Sequence, residues 1–303
     1  MSKCNAGGGA GKVKIKGSSN THNIAVKKTK QMESTKAGTD KVLLLRAALF
    51  DEGGVDKNVL KDFLPFQTFK RNGLDCTIEF ATGTSAAHYR KWMFALTKIN
   101  MEGEYNIDYG WDDEDKKDEL REPSARFLVV NQAPSVAWEK PIPVAFVHFR
   151  FTLQGEIFQQ MKGETALFVY DIQVEQEYQK KGLGKHLMQL CELIGNKQRI
   201  SHVQLLVPNG STTIVNFLAS KMKGYEEDNS HEMFLEGDVE DMGFSVHGKC
   251  IDRALKARNV AAAREKESFK QEVFDLCKLL DTGVKVASGA TPKKKEITKK
   301  KSP

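Results

Sequence analysis

Residues 179–184, Gln-Lys-Lys-Gly-Leu-Gly, are the segment of this 303-residue chain whose composition and spacing best suit ligand binding. The segment follows an apolar stretch that predicts a strand over 167–174 and precedes a stretch that predicts a helix over 185–196. A turn in that position presents unpaired backbone N–H groups at the positive end of a helix dipole, and its glycines keep side chains away from a ligand. Such a turn binds a phosphate or a pyrophosphate.

The spacing of the glycines distinguishes between the known phosphate-binding motifs. A P-loop requires Gly-Lys-Ser/Thr, and a dinucleotide-binding turn requires Gly-x-Gly-x-x-Gly, whereas this segment offers only Gly182 and Gly184. A plain turn without a ligand is a further alternative. At every position the segment resembles Arg/Gln-x-x-Gly-x-Gly/Ala, the acetyl-CoA signature of the GNAT acetyltransferases.

The elements that would position this turn can be predicted from hydrophobic periodicity. Residues 105–111 are interpreted as an acidic, aromatic loop. Strands are predicted over 75–81, 125–131, 143–153, 167–174 and 203–207, and helices over 85–101, 112–121, 185–196 and 213–222, with one or two more over 41–64. This order predicts an α/β fold with a mixed central sheet flanked by helices, which is the GNAT acyltransferase fold that the resemblance implies.

The distribution of charge divides the chain into a body and two tails. Residues 1–40 hold eight Lys against two acidic residues, and residues 282–303 hold seven Lys against one, so within a net charge of +6 the remainder is acidic. We predict disordered basic tails over 1–40 and 282–303, a GNAT domain with an N-terminal helical segment over 41–250, and a C-terminal helix over 251–281. The acidic body favours a cationic substrate, and the Lys-rich tails could contact nucleic acid or direct the chain to the nucleus.

Several further stretches resemble the NatD family of GNAT enzymes, which acetylate the N-terminal amines of histones. The resemblance covers residues 59–235 and includes Phe69-Lys-Arg-Asn-Gly-Leu74, Leu96-Thr-Lys-Ile-Asn-Met101, Pro143–Phe151 and Tyr170-Asp-Ile-Gln-Val-Glu175. It implies transfer of acetyl from acetyl-CoA to the N-terminal amine of a basic protein. The implied substrates are histones H-four and H-two-A, whose N-terminus reads Ser-Gly-Arg-Gly.

The resemblance also assigns catalytic and substrate-binding residues. Only a neutral amine attacks a thioester, so a base must remove a proton, directly or through a water. Asp171 is the first candidate because it stands where the family has a glutamate. Tyr105 and Tyr170 would orient the substrate or assist the proton transfer. Further substrate contacts are expected at Tyr109, Trp111, Thr152 and Leu206, the last two replacing an aspartate and a threonine of the family.

The implied contacts with acetyl-CoA fall into two groups. Backbone groups of Ile172, Gln173 and Val174 would pair with the pantetheine arm as an added strand would. The pyrophosphate would lie against Lys180, Lys181, Gly182, Leu183, Gly184 and Lys185, with Ser211 in place of a family asparagine near the cofactor. No metal is expected, and His148 and His186 are interpreted as structural.

Two other functions stay open from the sequence. The same reaction could act on other N-termini or on lysine side chains, although a lysine amine, with a pKa near ~10.4, needs a stronger base or a wider groove. A domain that keeps the CoA fold without catalysis could serve as a chromatin adaptor. Five scattered cysteines indicate reduced thiols, and no apolar run approaches the ~20 residues of a membrane span, so we expect a nuclear and cytoplasmic location.

Overall fold

A computed structural model describes residues 36, 38–108, 110–134, 136, 138–155, 163–209, 211–228 and 243–281 of the chain. These residues belong to two units that divide after Asp252, and each unit is described by itself. The tails for which nucleic-acid contact is predicted lie almost wholly outside the described residues. Within the described residues, no helix combines the length and the apolar character that crossing a bilayer requires.

The described part of the first unit contains one sheet of eight strands in the order β1-β2-β3-β4-β5-β6-β8-β7. The strands are β1 Thr68–Arg71, β2 Leu74–Thr82, β3 Arg126–Gln132, β4 Ile142–Leu153, β5 Thr165–Val174, β6 His202–Pro208, β7 Glu226–Glu227 and β8 Phe244–Cys250. Neighbouring strands are antiparallel except for β5 and β6, which are parallel and joined through a helix, as a parallel pair requires.

The helices of the first unit are α1 over 38–49, α2 Arg90–Asp108, α3 Asp113–Arg121, α4 Leu183–Lys197 and α5 Thr212–Lys221, with short 3-10 helices at Lys61–Phe66, Ser85–His88 and Gln176–Tyr178. The second unit, described by itself, contains α6 Arg253–Asp281. The predicted α/β fold with a mixed sheet is confirmed. The loop predicted over 105–111 is wrong in its first half, because α2 continues to Asp108 and thereby buries Tyr105 four residues after Met101.

The sheet buries apolar side chains on both faces, because successive residues of a strand point to opposite sides. On one face, Leu128 belongs to a core with Leu187 of α4 and with side chains of α1. On the other face, Phe127 belongs to a core with Met93 of α2 and Leu120 of α3. Helix α4 therefore packs on one face of the sheet, and helices α2 and α3 pack on the other.

Strands β5 and β6 separate part-way along their length. Their pairing ends at Val169 and Leu205, after which β5 continues beside β4 and β6 continues beside β8. The register between β4 and β5 shifts by one residue at Tyr170, a bulge that bends the strand and increases its twist. Residues 170–174 consequently face β6 across a gap in the sheet.

Gly83 occupies a position in the fold that leaves no room for a side chain. A Cβ at this position would lie 2.1 Å from the carbonyl oxygen of Glu122, and the Gly83 N–H donates to the carbonyl of Ala125 at 2.8 Å. We expect Gly83→Ala to lower the free energy of unfolding by about 3 kcal/mol, because the opposing atom belongs to the backbone and cannot rotate away. Urea unfolding of the purified variant measures this loss.

Gly103→Ala is the matched control for this prediction. A Cβ at Gly103, inside α2, meets no atom within 4 Å, and alanine has the higher helix propensity. This variant is expected to gain about 0.5–1 kcal/mol. The close approach at Gly83 is contradicted if both variants unfold at the same urea concentration.

Candidate active site

The turn predicted to bind phosphate has a backbone conformation that suits an anion. Lys180 and Gly182 have positive φ angles of 59° and 97°, and α4 begins at Leu183, two residues earlier than predicted. Gly182 is the N-cap and no side chain caps the helix, so the first N–H groups of α4 are directed at the turn without a side-chain acceptor. Exposed Lys180 and Lys185 add positive charge around them.

The edge of β5 that faces the gap carries two of the three predicted pantetheine contacts. Glu175 donates its N–H to the carbonyl of Val144 on β4 at 2.9 Å. Because backbone groups alternate sides along an antiparallel strand, Gln173 also directs its N–H and C=O at β4. Ile172 and Val174 face the gap instead. The prediction for the backbone of Gln173 is therefore corrected.

Side chains around the gap refine this picture further. The buried side chain of Gln173 accepts a hydrogen bond from Asn100 at 3.0 Å, and so joins β5 to α2. The carbonyl of Val174 accepts from the side-chain amide of Gln179 at 3.0 Å. The groups best placed to pair with a pantetheine arm are thus the N–H and C=O of Ile172 and the N–H of Val174.

A cluster of charged side chains is buried where β5 passes beneath α3. Asp171 and Lys116 are 3 % and 8 % exposed. The Nζ of Lys116 lies 2.8 Å from Oε1 of Glu119 and 3.4 Å from Oδ2 of Asp171. His148 on β4 is fully buried, and its Nδ1 lies 3.4 Å from the Glu119 carboxylate and 3.6 Å from that of Asp171. One ammonium group therefore lies between two carboxylates.

The electrostatics of this cluster keep Asp171 ionised. Burial alone would raise the pKa of its carboxyl, but the charge of Lys116 and the neighbouring His148 outweigh burial, so the pKa of Asp171 lies well below its usual range. For Lys116, burial lowers the pKa, whereas the carboxylates of Asp171 and Glu119 raise it above its usual value. Asp171 is consequently a stable anion and a weak acceptor of a proton.

The same cluster has the composition of a metal site. One ligand atom each from Glu119, His148 and Asp171 lie within 4.8 Å of one another. The ammonium of Lys116 bonds Glu119 and pairs with Asp171, so it supplies the positive charge that the two carboxylates require.

The sequence matches a known family over this region. Residues 93–222, which include the phosphate-binding turn, the gap and the charged cluster, match the family model of the acetyltransferase (GNAT) family. The chain contains a GNAT acetyltransferase domain. The predicted GNAT resemblance is thereby confirmed, and such a domain is an acyltransferase that uses acetyl-CoA.

The solved structures that this chain matches share little sequence with it. A GNAT-family acetyltransferase from Listeria monocytogenes has 14 % identity and a TM-score of 0.42, covering 60 % of this chain and 99 % of that one. NAA60 from Arabidopsis thaliana, in complex with a bisubstrate analogue, has 12 % identity and a TM-score of 0.40, covering 58 % and 100 %. The PaiA N-acetyltransferase from Thermoplasma acidophilum, in complex with coenzyme A, has 13 % identity and a TM-score of 0.36, covering 57 % and 99 %.

Two aromatic groups surround the charged cluster of the GNAT domain. The ring of Tyr170 stacks on the ring of His148 with centroids 5.0 Å apart. The guanidinium carbon of Arg150 lies 4.5 Å from the centroid of the Tyr170 ring. Buried Tyr105 stacks on Trp111 at 5.7 Å. The structure therefore brings together Asp171, Tyr170, Tyr105 and Trp111, which the sequence predicts as catalytic or substrate-binding residues.

Three other predicted residues do not join this group. Thr152 is 3 % exposed within β4, and its hydroxyl donates to the carbonyl of Leu153 at 3.5 Å, so the predicted peptide contact stays a prediction. Ser211 is 1 % exposed and its Oγ accepts from a backbone N–H as the N-cap of α5, which argues against the predicted cofactor contact. Leu206 follows the last β5–β6 pair and borders the gap from the β6 side. Tyr109 lies outside the described residues.

Three residues of the cluster were not predicted as site residues. The sequence indicates only a charged helix around Lys116 and Glu119, and His148 is interpreted as structural. The spacing of Lys116 and Leu120 is one sequence feature that indicates burial of Lys116, because residues four apart share one face of a helix and both are buried in α3. A histidine within an otherwise apolar strand was a second signal, because buried polar groups need partners.

Proposed function

We propose that this GNAT domain is an N-alpha-acetyltransferase similar to NatD, with histones H-four and H-two-A as its substrates. The observation that supports it best is the pairing of Asp171 with Lys116, which leaves a fixed anion and a weak base at the site. An α-amine, with a pKa near ~8, is already partly neutral at physiological pH, so a weak base suffices. A lysine amine, with a pKa near ~10.4, would need a stronger one.

Each residue of the cluster has a separate task in this proposal. Asp171 provides the negative charge that attracts the substrate ammonium, and Tyr105 stacked on Trp111 borders its path. Glu119, whose side chain is 24 % exposed, accepts the proton and passes it to water. The amine nitrogen then bonds to the acetyl carbonyl carbon, the carbon–sulfur bond breaks, and the sulfur leaves as a thiolate that takes up a proton.

The acidic residues at the start of α3 contribute less to peptide recognition than the sequence suggests. Asp112 caps the helix by accepting from two backbone N–H groups. Asp113 bonds Lys98 at 2.7 Å, and Glu114 pairs with Lys117 at 2.7 Å. An arginine of the substrate would compete with these internal partners. The histone preference is therefore supported by the resemblance to NatD rather than by free surface charge.

Acetyl transfer to two synthetic peptides tests the proposal. One begins Ser-Gly-Arg-Gly with a free N-terminus, and the other has the same sequence with a blocked N-terminus and a retained lysine. We expect transfer from acetyl-CoA to the free N-terminus only. Transfer to the blocked peptide would identify a lysine acetyltransferase, and CoA binding without transfer to either peptide would favour another N-terminus or the adaptor function.

A further inference from the structure

We propose that Arg71 binds a phosphate group of acetyl-CoA and so helps to determine which acyl carriers the GNAT domain accepts. The inference rests on the use of CoA and is independent of which amine is acetylated. Arg71 ends β1 and is followed by the turn Asn72-Gly73, whose φ angles of 56° and 77° are those of a tight hairpin turn into β2. This hairpin lies outside the cofactor site that the sequence predicts.

The hairpin packs against the phosphate-binding turn. The side-chain amide of Asn72 donates to the carbonyl of Lys181 at 2.7 Å. A Cβ at Gly182 would lie 3.6 Å from the ring of Phe69 and 3.7 Å from the amide of Asn72, so β1 and its turn closely approach this glycine. The hairpin therefore supports the turn and places the end of β1 beside the ligand that the turn binds.

A histidine with a defined tautomer orients the side chain of Arg71. His186, in the first turn of α4, has its Nε2 2.9 Å from the carbonyl oxygen of Phe66. A carbonyl only accepts, so Nε2 carries the proton and Nδ1 is an acceptor. Arg71 donates to this Nδ1 from Nη2 at 3.3 Å. Burial lowers the pKa of His186, which keeps the ring neutral and able to accept.

The guanidinium of Arg71 has no carboxylate partner within the described part of the chain. The preceding Lys70, by contrast, pairs with Asp75 at 3.1 Å. Arg71 lies 4.5 Å over the ring of Phe69 and is exposed to solvent. A guanidinium has five N–H donors in a planar fork that matches a phosphate, and only one of them bonds His186. The others can meet an anion at the uncapped start of α4.

Acetyl-CoA offers two kinds of phosphate group to this side chain, the diphosphate and the 3′-phosphate of the ribose. Binding of CoA, dephospho-CoA and pantetheine, measured by calorimetry on the full chain without peptide, distinguishes them. We expect Arg71→Gln to raise the Kd for CoA roughly tenfold, as the loss of charge-assisted hydrogen bonds implies. An equal loss for dephospho-CoA assigns the contact to the diphosphate, and no loss for dephospho-CoA assigns it to the 3′-phosphate.

Lys70→Gln is the matched control, because it removes the same charge from the adjacent residue of the strand. It is expected to change the Kd for CoA by less than about twofold, since its side chain pairs with Asp75 at the surface. Our inference is overturned if both variants bind CoA equally well, or if Arg71→Gln weakens pantetheine, which has no phosphate, as much as CoA. Because no acceptor peptide is present, these results do not depend on the N-alpha proposal.

Discussion

Asp171→Asn is expected to lower kcat/KM for acetylation of the Ser-Gly-Arg-Gly peptide by about 100-fold or more. The amide carries no charge to attract the substrate ammonium, and the ammonium of Lys116, 3.4 Å away, loses one of its two carboxylate partners. Steady-state kinetics with acetyl-CoA measure the loss. The Kd for CoA is expected to stay unchanged, because the phosphate-binding turn begins α4 on the opposite face of the sheet from α3.

Two further variants serve as a control for the Asp171→Asn result and as a test of the proposed proton acceptor. Asp118→Asn removes a carboxylate that is 76 % exposed on α3, and its kcat/KM should change by less than about twofold. Glu119→Gln removes the proposed proton acceptor, so its rate should recover as the pH rises towards the amine pKa near ~8 and the neutral amine accumulates. Wild-type kcat/KM in the Asp171→Asn enzyme would rule out the catalytic assignment.

Lys116→Met is expected to destabilise the domain and to make kcat/KM fall at acidic pH, where Asp171 takes up a proton. Removal of one partner of a buried ion pair costs roughly 3–5 kcal/mol. In the wild type the pKa of Asp171 is lowered on folding, so the ionised carboxylate stabilises the fold above its unfolded pKa near ~3.9, and this contribution is lost as the pH falls through the folded value. Without Lys116, only the neighbouring His148 opposes the effect of burial, so that pKa rises relative to the wild type.

The ionised carboxylate of Asp171 therefore stabilises the fold less in the Lys116→Met variant. The free energy of unfolding of this variant should depend less on pH below ~3.9 than that of the wild type, and its activity should be lost at a higher pH, where Asp171 takes up a proton. Lys117→Met is the control, because Lys117 is 32 % exposed and pairs with Glu114 on the surface. Identical profiles of kcat/KM against pH for the two variants would count against the role of Lys116.

The turn that is predicted to meet the cofactor could be located from the sequence because its determinants are local. Gly182 and Gly184 lie between a strand and a helix, and the positive φ of Gly182 suits that position, although α4 begins at Leu183, two residues before the predicted start. The strands could be predicted as well, since β3 and β5 each contain a local run of apolar residues. The backbone of Gln173 is an exception. Pairing with β4 decides which edge of β5 its N–H and C=O groups face, and the register of that pairing shifts at the Tyr170 bulge.

The charged half could not be predicted because its members come from distant parts of the chain. Lys116 and Glu119 lie on α3, whereas His148 faces Asp171 only through the register of β4 with β5. A helix as rich in charge as α3 has the composition of a surface helix, and its packing through Leu120 decides which charges are buried. The depressed pKa of Asp171 follows from that packing and from no local pattern.

The separation of β5 from β6 has a consequence for how substrates enter the domain and products leave it. Under the proposed function, with α4 on one face of the sheet and α3 on the other, the carrier and the polypeptide would approach the gap from opposite sides. Each partner would then have its own exit, so a spent carrier could be exchanged while a long polypeptide chain stays outside the fold. Such an arrangement would let one small domain serve acceptors of any length, since everything beyond the first few residues would remain in solvent.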